Sequence, residues 1–136
     1  MKGGVLLANK ISKISESEWE VMKLLWKSNP LSSEDIIHGL SPKHSWSAQT
    51  IKTFITRLSN KGVISYKKEG RLYYYFPLFS KEEYIKYENN SFLKRVYDGA
   101  LDMLLTNFLA EKELSVEELE QLENILKDKK QNKSSD

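Results

Sequence analysis

Gln49, Lys52, Thr53, Thr56 and Asn60 recur at helical spacing along one side of the segment 47–60, with Arg57 beside them. They offer amides, hydroxyls and cations, and no carboxylate. A solvated helix face ordinarily mixes both charge signs. This one is composed to meet hydrogen-bonding edges and negative charge, which a DNA major groove presents together. Ile51, Phe54, Ile55 and Leu58 fall at i, i+3, i+4 and i+7 and form the opposing apolar stripe. An ordinary amphipathic surface helix has the same periodicity. The residues immediately after the helix favour DNA.

Gly62 stands where a helix terminator belongs. Val63-Ile64-Ser65-Tyr66-Lys67-Lys68 then turns from apolar to basic, and Glu69-Gly70 is a turn signal. Arg71-Leu72-Tyr73-Tyr74-Tyr75-Phe76 has strong strand propensity and is closed by Pro77. Helix plus basic hairpin reads as a winged helix-turn-helix, with the helix in the major groove and the wing on flanking phosphates. The residues expected to meet DNA are Ser47, Gln49, Thr50, Lys52, Thr53, Thr56 and Arg57 on the helix. Lys67, Lys68 and Arg71 are expected to do so on the wing. Tyr73 and Tyr75 divide between hydroxyl contacts and packing.

Charge is distributed to match. Lys43, Lys52, Arg57, Lys61, Lys67, Lys68 and Arg71 stand against Glu69 alone over residues 43–71, while the whole chain is only +2. A nearly neutral chain thus carries a local basic footprint that its net charge hides.

Composition sets the class. At 136 residues, 40% hydrophobic and 29% charged, the chain suits one globular domain or a small domain with an appendage. It has no apolar run of about 18 residues, so no transmembrane span is expected. The opening Met1-Lys2-Gly3-Gly4-Val5-Leu6-Leu7-Ala8 is short for a secretory signal and reads as a loose arm. With no cysteine there is no disulfide framework or thiolate metal site. A cytoplasmic protein without cofactor or metal is expected.

Several capping boxes punctuate the chain. Ser15 and Glu18 open a helix lined by Trp19, Met22, Leu25 and Trp26, with Val21 and Leu24 adjacent, which Asn29-Pro30 stops. A second helix starts near Ser32, with Asp35 three residues on, and ends at Ser41-Pro42. Lys43-His44-Ser45-Trp46 leads to Ser47, the expected N-cap of the basic helix. Ser80 with Glu83, and Ser115 with Glu118, open two further helices. Asp98-Gly99 is a weak break between the first of these and the helical stretch 100–110.

The expected fold is mainly α with a small β-hairpin wing, an α+β winged helix-turn-helix head followed by a C-terminal helical dimerisation arm. Its parts are a flexible arm over 1–10, the head over 11–78, the dimerisation region over 79–129 and a disordered tail over 130–136. Apolar stripes on short helices must be buried on something. Packing on the head and packing on a second chain are both open, and a dimer reading palindromic DNA favours the second. Leu101, Leu104, Leu105, Phe108, Leu119, Leu122, Ile125 and Leu126 are the expected interface.

These residues resemble the BlaI/MecI penicillinase-repressor family of winged-helix repressors. The matching segments are Ile14-Ser15-Glu16-Ser17-Glu18-Trp19-Glu20-Val21-Met22 with Leu25-Trp26, Thr50-Ile51-Lys52-Thr53 with Ile55-Thr56-Arg57-Leu58, Lys61-Gly62-Val63-Ile64, Arg71 to Pro77, Leu105-Thr106-Asn107-Phe108, and Glu118-Leu119-Glu120. The resemblance covers roughly residues 11–128. It implies a homodimeric repressor that binds inverted-repeat DNA near promoters of β-lactam-resistance genes. It also implies release by a signalling protease that cuts between Asn107 and Phe108. The next residues, Leu109-Ala110, depart from the Ala-Lys of the family pattern. A copper-responsive branch carries C-terminal cysteines, which this chain lacks.

Three rivals stand beside that reading. An enzyme would need a convergent nucleophile, base and acid or a metal set. His38 and His44 are the only histidines, and no nucleotide, zinc or nucleophile-elbow motif accompanies them. A winged helix that binds only protein would not ordinarily carry a carboxylate-free basic face. A winged-helix regulator answering a small molecule or metal without cleavage would need a pocket, which Tyr84, Tyr87, Phe92 and Tyr97 could line.

Overall fold

Ser15 begins the first helix by using its polar groups twice over. Its Oγ accepts from the Glu18 backbone N–H at 3.1 Å, and its own N–H donates to the Glu18 carboxylate at 3.0 Å. The reciprocal box satisfies two donors that a helix start leaves free. Helix α1 (Glu16–Lys27) comes next. Ser32 and Asp35 repeat the device at the start of α2 (Ser33–Leu40). Helix α3 (Ala48–Asn60) begins on Ser47. A short strand β1 (Leu31–Ser32) precedes α2. Strands β2 (Ile64–Glu69) and β3 (Leu72–Pro77) form the hairpin, and helices α4 (Lys81–Tyr97), α5 (Leu101–Glu111) and α6 (Val116–Ser135) complete the order. This computed structural model describes residues 14–135, so the arm expected over 1–10, residues 11–13 and Asp136 lie outside the described residues.

Strand β1 joins the hairpin as a third strand. It pairs antiparallel with β3, placing Leu31 opposite Tyr75 and Ser32 opposite Tyr74. The sheet order is β1-β3-β2. Two residues carry no period, so the sequence pattern does not reveal this strand.

The head's core is where the stripes meet. Val21, Met22 and Leu25 of α1, Ile36, Ile37 and Leu40 of α2, and Ile51, Phe54, Ile55 and Leu58 of α3 are all buried together. Each such side chain contributes about 1.5–3 kcal/mol by leaving water. Trp19 and Trp26 pack edge-on at 5.2 Å on the margin of this core. The Trp26 indole N–H donates to the Phe79 carbonyl at 2.9 Å, so a large apolar ring is packed with its polar atom satisfied. Gly39 lets α2 approach α1, because a Cβ there would stand 2.6 Å from Leu24 Cδ2.

The described residues divide into two compact units between Asn90 and Ser91, within α4. The division falls later than the 78/79 boundary expected from Pro77. Phe79 and Tyr84 supply the reason, since both are buried in the head's core. Burial pushes the Tyr84 phenol well above its ordinary value, with the Glu88 charge adding to the effect.

In the second unit Asp98-Gly99 is a full break. Asp98 takes φ 53° and Gly99 φ 88°, left-handed values that end α4. Helix α6 runs to Ser135, so residues 130–135 are helical where the polar composition suggested a disordered tail. Lys, Gln and Ser are acceptable helix residues, and Glu123 precedes Lys127 at the favourable i,i+4 spacing. Neither α5 nor α6 places a residue in a core. Among the described residues no helix is long and apolar enough to cross a membrane.

Candidate nucleic-acid interface

Helix α3 differs from every other helix among the described residues at its first turn. The other five carry Asp or Glu there, whereas α3 has none. An acid in the first turn neutralises the positive end of the helix dipole. Leaving it out keeps that end available to a phosphate.

Ser47 is committed to the cap. Its Oγ accepts from the Thr50 N–H at 3.1 Å and lies 3.0 Å from the Thr50 hydroxyl. Ser47 and Thr50, both expected at DNA, therefore shape the helix start with the same hydroxyls. The Thr53 hydroxyl donates to the Gln49 carbonyl at 3.1 Å, and the Thr56 hydroxyl to the Lys52 carbonyl at 3.0 Å. Their protons are spent within the helix, which leaves methyl groups and acceptor lone pairs for an outside partner. Gln49, Lys52 and Arg57 are exposed.

The basic footprint is smaller than the sequence count. Lys61 is the C-cap of α3 and donates to Glu18, a carboxylate only 1% exposed. Its charge is consumed by that partner. His44 lies flat against Trp46, with centroids 4.1 Å apart and planes 9° apart, and its Nε2 is 3.6 Å from Glu20. The cations left facing solvent are Lys43, Lys52 and Arg57 before and on α3, and Lys67, Lys68 and Arg71 on the wing.

Strand register sorts the wing cations. Lys68 stands opposite Tyr73, and Tyr66 opposite Tyr75, while Lys67 stands opposite Tyr74. Neighbouring residues of a strand point to opposite faces. Lys67 and Lys68, each expected at phosphate, therefore project from different faces of the hairpin. Tyr66, 51% exposed, belongs to the Lys68 face and packs edge-on against Tyr73 at 4.7 Å. Sequence reasoning omits Tyr66 from the site, and alternation counted back from Lys68 would have found it. The Lys68 ammonium lies 5.8 Å from the centroid of the Tyr73 ring. Tyr75 is half-buried, and burial followed by the Tyr66 and Tyr73 charges raises its phenol.

Most apolar side chains of α5 and α6 are exposed in the single chain. Leu101, Leu105, Phe108, Leu119, Leu122, Ile125 and Leu126 of the expected interface are exposed, as are Met103, Leu109 and Val116, and Leu104 is half-buried. Asn107 and Phe108 lie inside α5, both exposed. The Asn107 amide donates to the Tyr97 hydroxyl at 3.4 Å, and the Phe108 carbonyl accepts from Lys112.

A family model described as penicillinase repressor matches residues 14–128. The chain belongs to the penicillinase repressor family. Its similarity to the penicillinase repressor of Bacillus licheniformis is 40% identity over 124 residues, 91% of this chain and 97% of that protein. The methicillin resistance regulatory protein MecI of Mammaliicoccus sciuri is 39% identical over 122 residues, 89% of this chain and 98% of that protein. A solution structure of the DNA-binding domain of the repressor BlaI superposes with a TM-score of 0.51 at 40% identity. It covers 55% of this chain and 92% of that domain. The winged-helix head thus has the fold of a penicillinase-repressor DNA-binding domain. Among the described residues no cluster of His, Cys, Asp or Glu could hold a metal ion.

Proposed function

We propose that this protein is a DNA-binding transcriptional repressor of β-lactam-resistance genes that binds inverted-repeat operators as a homodimer. The observation that carries this reading is the outward face of α3. It holds Gln49, Lys52, Thr53, Thr56 and Arg57 with an acid-free first turn, inside a head shaped like the BlaI DNA-binding domain. Lys52 and Gln49 read base edges. Thr50 and Thr53 offer methyl groups to thymine. Arg57 and the exposed cations of the wing bind phosphate.

The leucines of α5 and α6 close on a second copy of the chain. Two heads then engage half-sites spaced by about one helical turn, ~10 bp. Repression places the protein with the chromosome in the cytoplasm.

Release proceeds by cutting between Asn107 and Phe108. The bond is in a hydrogen-bonded helix, so the protease acts on a locally opened α5. The cut strips Phe108, Leu109 and all of α6 from the interface and leaves the head intact. The test is a mobility-shift titration on inverted-repeat DNA, followed by immunoblotting of cells exposed to a β-lactam. Absence of retarded DNA would reduce the head to a protein-binding module. Induction without a fragment ending at Asn107 would remove the protease and leave a regulator released by some other ligand.

A further inference from the structure

Two carboxylates of α1 reach opposite ends of α3. Glu18 holds Lys61, the C-cap. Glu20 lies 3.6 Å from the Nε2 of His44, three residues before the N-cap Ser47. The first pair joins a buried carboxylate to lysine, which stays charged through neutral pH. The second joins a half-buried carboxylate to the one side-chain type that ordinarily changes charge between about pH 5 and 8.

The His44 ring is coupled to the reading helix by packing. It stacks on Trp46, and Trp46 meets Phe54 edge-on at 5.1 Å. Phe54 is buried on the inner side of α3. The His44 backbone N–H also donates to the Leu40 carbonyl at 3.1 Å, tying the loop to the end of α2. A line of contacts thus runs from Glu20 through His44 and Trp46 to the inner face of α3.

We infer that His44 is a positioning residue for operator binding: its protonated ring, paired with Glu20, clamps the loop 43–46 to α1 and holds the first turn of α3 in its DNA-reading position. The inference rests on the proposed reading in which that first turn enters the groove. Glu20 faces the ring from α1 through Oε1, while Lys23 of α1 uses the other oxygen, Oε2, at 3.0 Å. Lys43 precedes it in the loop, and the first turn of α3 contributes no acid.

The pair sets the sign. A protonated imidazole engages the Glu20 carboxylate and a neutral one does not. Operator affinity of the full chain, measured by fluorescence anisotropy at constant ionic strength, is expected to be about two- to five-fold tighter near pH 6 than near pH 8, the size of a partly exposed ion pair. Glu20→Gln should flatten the profile at the weaker level. His44→Lys, permanently charged but without the ring that stacks on Trp46, should also flatten the profile, and the double variant should bind more weakly than His44→Lys. The salt slope should stay the same throughout, because no phosphate contact is gained or lost.

A wild-type pH response in Glu20→Gln, or a double variant as tight as His44→Lys, would overturn the clamp and make the cation a direct phosphate ligand. Amide hydrogen exchange of the DNA-free chain separates this from the DNA reading itself. Thr50 and Ile51, whose N–H groups bond the Ser47 Oγ and carbonyl, should gain protection on protonation in the wild type and not in Glu20→Gln. Unchanged protection rejects the clamp. A Glu20-dependent response in a protein that fails to bind operator keeps the clamp and rejects the groove-reading helix.

Discussion

The head and the arm use the same apolar pattern to opposite effect. Leu58, on the stripe of α3, is 0% exposed, whereas Ile125 on α6 is 63% and Leu126 64% exposed. In the head three helices and a sheet bring their stripes to one point, so each stripe finds a partner within the chain. In the arm α5 and α6 leave their stripes exposed in the single chain. A helical period states which side chains share a face, and the number of elements that meet decides whether that face is dry. Under the proposed function the arm supplies half of a core, and another copy of it supplies the second half.

Leu122→Asp should give the largest effect if the two regions divide their labour this way. A carboxylate in the arm interface is expected to lower operator affinity by about 10²–10⁴-fold, because the second head loses its effective concentration. Head unfolding, followed by near-UV circular dichroism, should be unmoved. An unaltered affinity would break the comparison by removing the arm from assembly.

Lys61→Met tests the head in the reverse sense. It strands the buried Glu18 carboxylate and is expected to cost about 3–5 kcal/mol of head stability in denaturant titration. Glu18→Gln should cost less, because the Lys61 side chain is 22% exposed and can turn to solvent. Equal losses would mean that the pair acts through packing alone.

Much of the fold is legible in the sequence. The stripes of α1 and α3, the capping boxes that pair serine with an acid, and the hairpin turn at Glu69-Gly70 are local signals, and each reappears in place. Strand β1 is not legible, since its pairing depends on Tyr74 and Tyr75 arriving from far along the chain. The footprint is overcounted in sequence for the same reason. Lys61 looks free there, and only folding brings Glu18, 43 positions earlier, against it. Likewise the adjacency of Lys67 and Lys68 suggests one basic patch, and the strand pleat separates them.

Smaller effects sharpen the interface itself. Lys52→Ala is expected to cost about 1–3 kcal/mol of operator binding and to relax sequence preference, as loss of a base contact does. Lys68→Ala should weaken all sequences alike and reduce the log–log salt slope by about 0.9, as loss of one phosphate contact does. A Lys67→Ala variant that leaves the slope intact would assign the DNA side to the Tyr66–Lys68 face of the wing.

The smallest effect concerns alkaline stability. The Tyr84 phenol is raised above its ordinary 10.0 in the folded head, chiefly by burial. Its neutral form is favoured by folding, so its contribution is present below about pH 10 and is lost as pH rises toward the folded value. Tyr84→Phe should therefore flatten the fall in head stability above pH 10, measured by denaturant titration at several pH values.

The most direct measurement compares binding to a complete inverted repeat with binding to a single half-site, by sedimentation with a salt titration. Two chains per complete operator, an affinity at least about 10²-fold above the half-site and a steep loss with salt are the predicted results. One chain per operator, with equal affinity for half and whole sites, would contradict an arm that pairs two DNA-reading heads.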